Sequence, residues 1–154
     1  MSSLTGRCAC GDVTYRITEE PLFTQVCHCL DCQRTTGSGF VVHTIIPLAA
    51  LDIVGETVKS ELDTGSGAGA DIHACKRCQT YIWIRYKYHD VPVIAVRAGT
   101  LDDPTAVTPG AHIFTKRKLP WITINDGTPQ AGELNNRNDV WPQKSLDRYA
   151  ALLS

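Results

Sequence analysis

Cys27-His-Cys-Leu-Asp-Cys32 places three thiols within one six-residue stretch, and the reading of the rest of the chain turns on what those thiols do. Upstream lies Cys8-Ala-Cys10 and downstream Cys75-Lys-Arg-Cys78, so all seven cysteines fall into three short knots. An odd number cannot all pair as disulfides. In a reducing compartment, thiols grouped at chelating spacing point to metal coordination or catalysis rather than to crosslinking.

The remaining composition narrows the field. At 154 residues the chain has the length of one domain and can bury a core without covalent staples. We expect a single domain over residues 1–154, with a core of about 6–130 and a tail and helix over 131–154. With 15 basic and 16 acidic residues, no global field draws in nucleic acid or an anionic membrane. No apolar run reaches membrane-spanning length, and Met1-Ser-Ser-Leu-Thr-Gly-Arg7 lacks the charged and apolar parts of a signal peptide. The expectation is a cytoplasmic protein.

Hydrophobic periodicity is mostly of period two. Val13, Tyr15 and Ile17 alternate with polar residues after the turn-rich stretch Gly6–Gly11, as in a strand with one buried face. Further extended runs are expected at Phe23–Cys27, Phe40–Ile46, Leu51–Val54, Val58–Leu62, Thr80–Tyr86, Val91–Arg97 and His112–Thr115, where β-branched and aromatic residues concentrate between Gly, Pro and Asp turns. Helix is expected only in a short turn from Cys29 to Thr36 and in an amphipathic segment over Ser145–Leu153. Gly65–Ala70 reads as a flexible loop or tight crossing, and Gly127–Gln143 as a polar tail running over the surface. The fold class is mainly β.

Zinc in closed structural sites takes four tetrahedral ligands, and thiolates two or three residues apart on a turn reach one ion without strain. Cys8, Cys10, Cys75 and Cys78 form a natural structural quartet that ties two distant turns together; four unligated thiols is the plainer alternative. Cys27, Cys29 and Cys32 then remain with no fourth cysteine. Three ligands and one open position is the arithmetic of a catalytic zinc. Two alternatives stay open: closure of the site by a histidine such as His43 or His73, and a reactive thiol cluster without metal. Together the two sites bring the expected cofactor count to two zinc ions per chain.

At these residues the chain resembles the glutathione-dependent formaldehyde-activating enzyme family, which includes S-(hydroxymethyl)glutathione synthases and the centromere protein V relatives. The resemblance rests on Gly6-Arg-Cys-Ala-Cys-Gly11 with Val13 and Tyr15, on Cys27-His-Cys-Leu-Asp-Cys-Gln-Arg34 with Gly37-Ser-Gly-Phe40, and on Cys75-Lys-Arg-Cys78 before Ile82-Trp83. Later echoes are His112-Ile113, Pro120-Trp121 and Asp126-Gly127. It implies a zinc-bound β-tent with a structural zinc on Cys8, Cys10, Cys75 and Cys78 and a catalytic zinc on Cys27, Cys29 and Cys32. It also implies a carbon–sulfur lyase acting on glutathione and formaldehyde. The chain departs from the family at Ala70-Asp71, Ala74 and Gln79, the last at a knuckle position where glycine would relax the backbone.

Candidate substrate contacts are Arg34, Ser38 and Lys118, the last within the basic cluster Lys116-Arg117-Lys118, and the expected partners are a small thiol and a small aldehyde. Gly37-Ser38-Gly39 reads either as an anion-binding nest or as a tight turn. Trp83 and Trp121 are expected in the core or in a pocket wall. Two other function classes compete: a binding module in which both zincs are scaffolding, and a thiol redox sensor at Cys27, Cys29 and Cys32.

Overall fold

The computed structural model describes residues 3–154; Met1 and Ser2, part of the N-terminal stretch read above, lie outside the described residues. The chain runs through β1 (Leu4–Arg7), β2 (Thr14–Ile17), β3 (Phe23–Cys27), α1 (Leu30–Thr36), β4 (Val41–Pro47), β5 (Leu51–Val54) and β6 (Thr57–Leu62). It continues through β7 (Ala70–Cys75), β8 (Tyr81–Tyr86), β9 (Val93–Arg97), β10 (His112–Ile113), α2 (Arg137–Val140) and α3 (Gln143–Ala151). Among the described residues these strands form a three-stranded sheet, β1-β2-β5, and a seven-stranded sheet, β10-β3-β4-β9-β8-β7-β6. All pairs are antiparallel except β10 with β3. The expected mainly β fold is found, with the helices few and short.

Alternation along the strands distributes the core. Val13, just before β2, and Tyr15 and Ile17 on it meet Ile46, Ile94 and Val96 of the large sheet, so one face of the large sheet is covered by the small sheet. The opposite face carries Phe23, Ile45, Ile84, Val93 and Ala95, which pack against Trp141 and Tyr149 from the C-terminal segment. Phe23 and Trp141 stack with ring centroids 5.5 Å apart. Each such side chain removed from water contributes about 1.5–3 kcal/mol, so α3 is held as an integral layer. Its polar edge is tied down by Arg148, which bonds the Glu20 carbonyl at 2.7 Å and the Glu19 carboxylate at 2.9 Å.

The structure differs from the sequence reading in two places. Gly6 is not a turn residue but the centre of β1, opposite Tyr15; a Cβ there would sit 2.6 Å from the Thr100 carbonyl oxygen, so the close approach of two chains demands glycine. Ala70–Cys75 is a strand, β7, paired on both sides, and only residues 63–69 form the connecting loop. The segment expected to run over the surface as a tail does so, with no buried residue over 127–140, but it is tied to the body rather than loose. Gln130 bridges to His112, α2 forms with Asn136 as its N-cap, and Trp141 is buried.

Candidate metal centre and cavity

The turn between β1 and β2 and the turn between β7 and β8 bring Cys8, Cys10, Cys75 and Cys78 together, with all four sulfurs within 4.8 Å of one another. Four sulfurs about 2.3 Å from a central zinc lie about 3.8 Å apart along tetrahedral edges. Cys8 and Cys10 are separated by 3.5 Å and Cys10 and Cys75 by 3.8 Å, so the donor set fits a tetrahedral ion and is too wide for a disulfide. Backbone N–H groups of Val13 and Cys78 point at the Cys8 and Cys75 sulfurs at 3.2 and 3.5 Å, which stabilises thiolates. Gln79 takes the left-handed conformation, φ 59°, at the knuckle where glycine was expected; its N–H bonds Cys75 O and its side-chain amide bonds Lys76 O.

The second cluster hangs from the end of β3 and the start of α1. Cys27 closes the strand, Cys29 is the N-cap of α1 and accepts from the Cys32 N–H at 3.3 Å, and Cys32 lies one turn in. Their three sulfurs lie within 4.8 Å of one another, and among the described residues no fourth His, Cys, Asp or Glu ligand atom joins them. His43 and His73, the candidate closers, do not: His73 stacks on Trp83 with centroids 3.5 Å apart, and His43 lies in a cavity wall. Three crowded thiols cannot ionise together. Cys29 is held well below the usual thiol range by the hydrogen bonds its sulfur accepts from Cys27 and Cys32, while the same bonds and burial push Cys27 far up. A divalent cation would relieve that repulsion, and the soft donor set suits zinc.

His28, between two of these cysteines, is fully buried and does not join the cluster. Its Nε2 meets His112 Nδ1 at 2.9 Å, and His112 Nε2 meets Asp126 Oδ2 at 2.7 Å. Hydrogen bonding to His112 holds Asp126 down to about 2, so the chain ends in a carboxylate at any ordinary pH. Gln33 adds a clamp, its amide donating to the carbonyls of His28 and Arg117 at 2.8 and 2.9 Å. The knot's backbone is thus fixed from β10, from α1 and from the loop carrying Asp126.

A cavity of about 360 Å³ opens on Cys27 and Cys29. Its walls are largely apolar, with Leu30, Tyr86, Tyr88, Ile113, Phe114 and Leu134, and its polar lining includes Asp31, Arg34 and Arg117. Tyr86 OH lies 3.8 Å from Cys32 Sγ. Phe114 adopts φ 54°, a costly conformation for an aromatic residue, enforced by its N–H bond to Glu133 O at 3.0 Å and by the Arg117 N–H on its own carbonyl.

Of the substrate contacts expected from sequence, Arg34 lines this cavity. Ser38 does not: it lies with Trp121 along a shallow depression, and its N–H donates to Thr36 Oγ1 at 3.1 Å. Gly37, φ 65°, caps α1, so the Gly37-Ser38-Gly39 stretch is a helix-ending turn. Lys118 Nζ is spent on the carbonyls of Leu119 and Ile122, and Lys116 pairs with Glu133 at 3.2 Å; within the basic cluster it is Arg117 that faces the cavity. Trp121 is 73% exposed rather than core. Tyr86, Tyr88 and Leu134 were missed. The tyrosines sit at and beyond the end of β8, where alternation carries them past the core to the cavity, and nothing in the polar stretch around Leu134 signals its return.

A family model described as glutathione-dependent formaldehyde-activating enzyme matches residues 3–117. No curated protein matches the chain. Among solved structures, a crystal structure of a Rhodobacter sphaeroides protein aligns with a TM-score of 0.49 at 17% identity, over 82% of this chain and 98% of that one.

Proposed function

The chain belongs to the glutathione-dependent formaldehyde-activating enzyme family, and from that premise we propose that it is a zinc-dependent carbon–sulfur lyase that forms or breaks a thiol–carbonyl adduct, with glutathione and formaldehyde as the default pair. The observation that carries this reading is the convergence of three thiols, with no fourth ligand among the described residues and with Cys27 and Cys29 on the wall of a cavity large enough for a small molecule. A closed scaffold site would need no such opening, and the quartet elsewhere in the same chain shows what a closed donor set looks like.

Cys27, Cys29 and Cys32 would hold the ion, and Cys8, Cys10, Cys75 and Cys78 a second, structural one. What zinc supplies when bound at the trio is Lewis acidity toward an entering thiol, whose pKa falls so that it is a thiolate near neutrality. Arg34 and Arg117 at the cavity wall are placed to meet carboxylates, and Asp31 an ammonium, the charges that glutathione carries. Burial keeps the Tyr88 phenol up at about 12 and that of Tyr86 well above its ordinary value, so both stay protonated and act as donors. In the forward direction the sulfur adds to the carbonyl carbon, the C–S bond forms, the C=O π pair moves to oxygen, and a proton is taken up there to give the hemithioacetal. The Tyr86 hydroxyl, 3.8 Å from Cys32 Sγ, is the group we assign to steady that oxygen. The reverse reaction returns the proton and breaks the C–S bond.

The test is exchange spectroscopy on glutathione and formaldehyde with zinc-loaded protein. We expect adduct exchange faster than in buffer, and the acceleration lost in Cys29→Ser. Exchange no faster than the uncatalysed rate with a fully loaded protein would overturn the assignment.

A further inference from the structure

Behind the main cavity lies an inner chamber of about 90 Å³. The two share Gln25, His43, Tyr86, Tyr88 and Leu134 as walls, so the chamber adjoins the cavity onto which Cys27 and Cys29 open. Strand register explains the floor: Gln25 on β3 is paired with His43 on β4, and both point to the face on which Cys27 ends its strand. The far wall is supplied by Asn135, Arg137 and Trp141, beyond the residues that the family model covers.

Two buried polar atoms of this chamber are uncompensated. His43 is 3% exposed and its Nε2 has no hydrogen-bond partner among the described residues, and Asn135 Nδ2 is likewise buried without one. A buried polar atom left unpaired costs about 1–3 kcal/mol, and native structures rarely tolerate two together without a role. The Arg137 guanidinium lies over the Tyr149 ring at 4.1 Å and has no carboxylate partner among the described residues. The chamber is lined by no Asp or Glu. Burial drives the His43 pKa down to about 4, so this histidine adds no charge near neutrality. One cation with neutral donors around a small volume matches a monoanion rather than a phosphate dianion.

We propose that the inner chamber is a carboxylate subsite for the compound bound at the three-cysteine centre, with Arg137 as its cation and Asn135 Nδ2 and His43 Nε2 as its hydrogen-bond donors. This rests on the reading of that centre as the place where a thiol meets a carbonyl compound. The carboxylate has two possible sources, the thiol and the carbonyl compound. If it comes from the carbonyl side, the preferred substrate is an aldehyde acid rather than formaldehyde.

Arg137→Met and Asn135→Leu are compared with the wild type as full-length, zinc-loaded protein, with thermal melts and Arg137→Lys as controls for folding and for charge. Two kcat/KM ratios are measured: glutathione to 2-mercaptoethanol with formaldehyde, and glyoxylate to formaldehyde with 2-mercaptoethanol. We expect one ratio to fall about tenfold or more in Arg137→Met, as loss of a charged hydrogen bond requires, by less in Asn135→Leu, and to be largely kept in Arg137→Lys. A fall in the first ratio assigns the carboxylate to the thiol, and a fall in the second to the carbonyl compound. Ratios that move less than about twofold in both variants overturn the subsite while leaving the lyase reading intact. Should no thiol turn over at all, calorimetric binding of S-methylglutathione and of succinate decides. Binding weakened about tenfold by Arg137→Met sustains the subsite although the reaction assignment has failed, and binding that is absent or unaltered ends it.

Discussion

The two cysteine clusters use the same donor atoms and are built in opposite ways. The quartet draws two sulfurs from each of two turns that are far apart in sequence, so filling it with metal closes a long loop and joins the small sheet to the large one. The trio comes from one strand end and the helix that follows it, and metal there closes no long loop. The quartet's environment is two surface turns with N–H groups aimed at sulfur; the trio's is a cavity with tyrosines, arginines and an aromatic residue in a strained backbone conformation. Where a metal site links distant chain, its binding energy is folding energy; where it hangs from one local segment braced by other contacts, binding energy is available for a ligand.

The largest break in that comparison is expected from Cys75→Ser. With a quartet ligand gone, a share of the ~10–16 kcal/mol that structural zinc supplies in small domains is lost, and the protein is expected to be largely unfolded at 25 °C by circular dichroism. Cys29→Ser is expected to leave the melting temperature within a few degrees of wild type while abolishing adduct chemistry. An equal loss of fold in both variants would erase the distinction drawn here.

The next effect concerns the bracing. Asp126→Asn replaces the carboxylate that fixes His112 and, through it, His28. Outer-shell partners of metal sites typically change metal affinity by about 10–100-fold, and we expect a loss near the lower end, at the trio alone, read by competition with a chromophoric chelator. An equal loss at the quartet would show a general effect on folding.

A smaller effect separates the C-terminal layer from both metal sites. His89 bonds Tyr149 OH at 3.0 Å, and burial together with Arg137 lowers its pKa from 6.5 to about 4. Because protonation is easier in the unfolded chain, this contribution to stability is complete above about pH 6.5, declines as pH falls and levels off below about pH 4. The protection factors of α3 amides, observed exchange divided into the intrinsic rate at each pH, are therefore expected to fall between pH 7 and pH 5, more than those of β3 and β4. A uniform fall across the sheet would contradict it.

The smallest effect is at Gln79. Glycine there relieves a left-handed conformation that costs about 1–2 kcal/mol and forfeits one exposed side-chain hydrogen bond to Lys76 O. The expected balance for Gln79→Gly is a gain of about 0.5 kcal/mol in denaturant unfolding.

Much of this was legible in sequence. The cysteine spacing alone paired the two turns and isolated the trio; period-two alternation at Val13, Tyr15 and Ile17 located β2, and extended runs between turn signals located β3, β4, β5, β6 and β8 to within a residue. β7 escaped because Asp71-Ile-His-Ala74 carries a single large aliphatic side chain and follows a glycine-rich run; its strand character comes from partners on both sides, a tertiary property. β1 escaped because Gly6 reads as a turn until the close pass of Tyr15 and Thr100 is known. The cavity's far wall was illegible for a related reason. Asn135 and Arg137 lie in a polar stretch whose return over the sheet is set by Trp141 and Tyr149 packing on Phe23 and on each other. Lys118 and Ser38 were plausible as charge and turn chemistry, but side-chain direction decides a contact, and theirs is settled by backbone carbonyls and a helix cap.

The most direct test of the central claim, that one cysteine cluster holds the fold and the other is open to a thiol, is zinc per chain on gently purified protein, with glutathione titrated into wild type and Cys29→Ser. The account predicts about two zincs per chain, one for each cluster, falling to about one in a folded Cys29→Ser variant that no longer binds glutathione. About one zinc in both proteins, with no glutathione binding in either, would contradict it and leave the quartet as the only metal site.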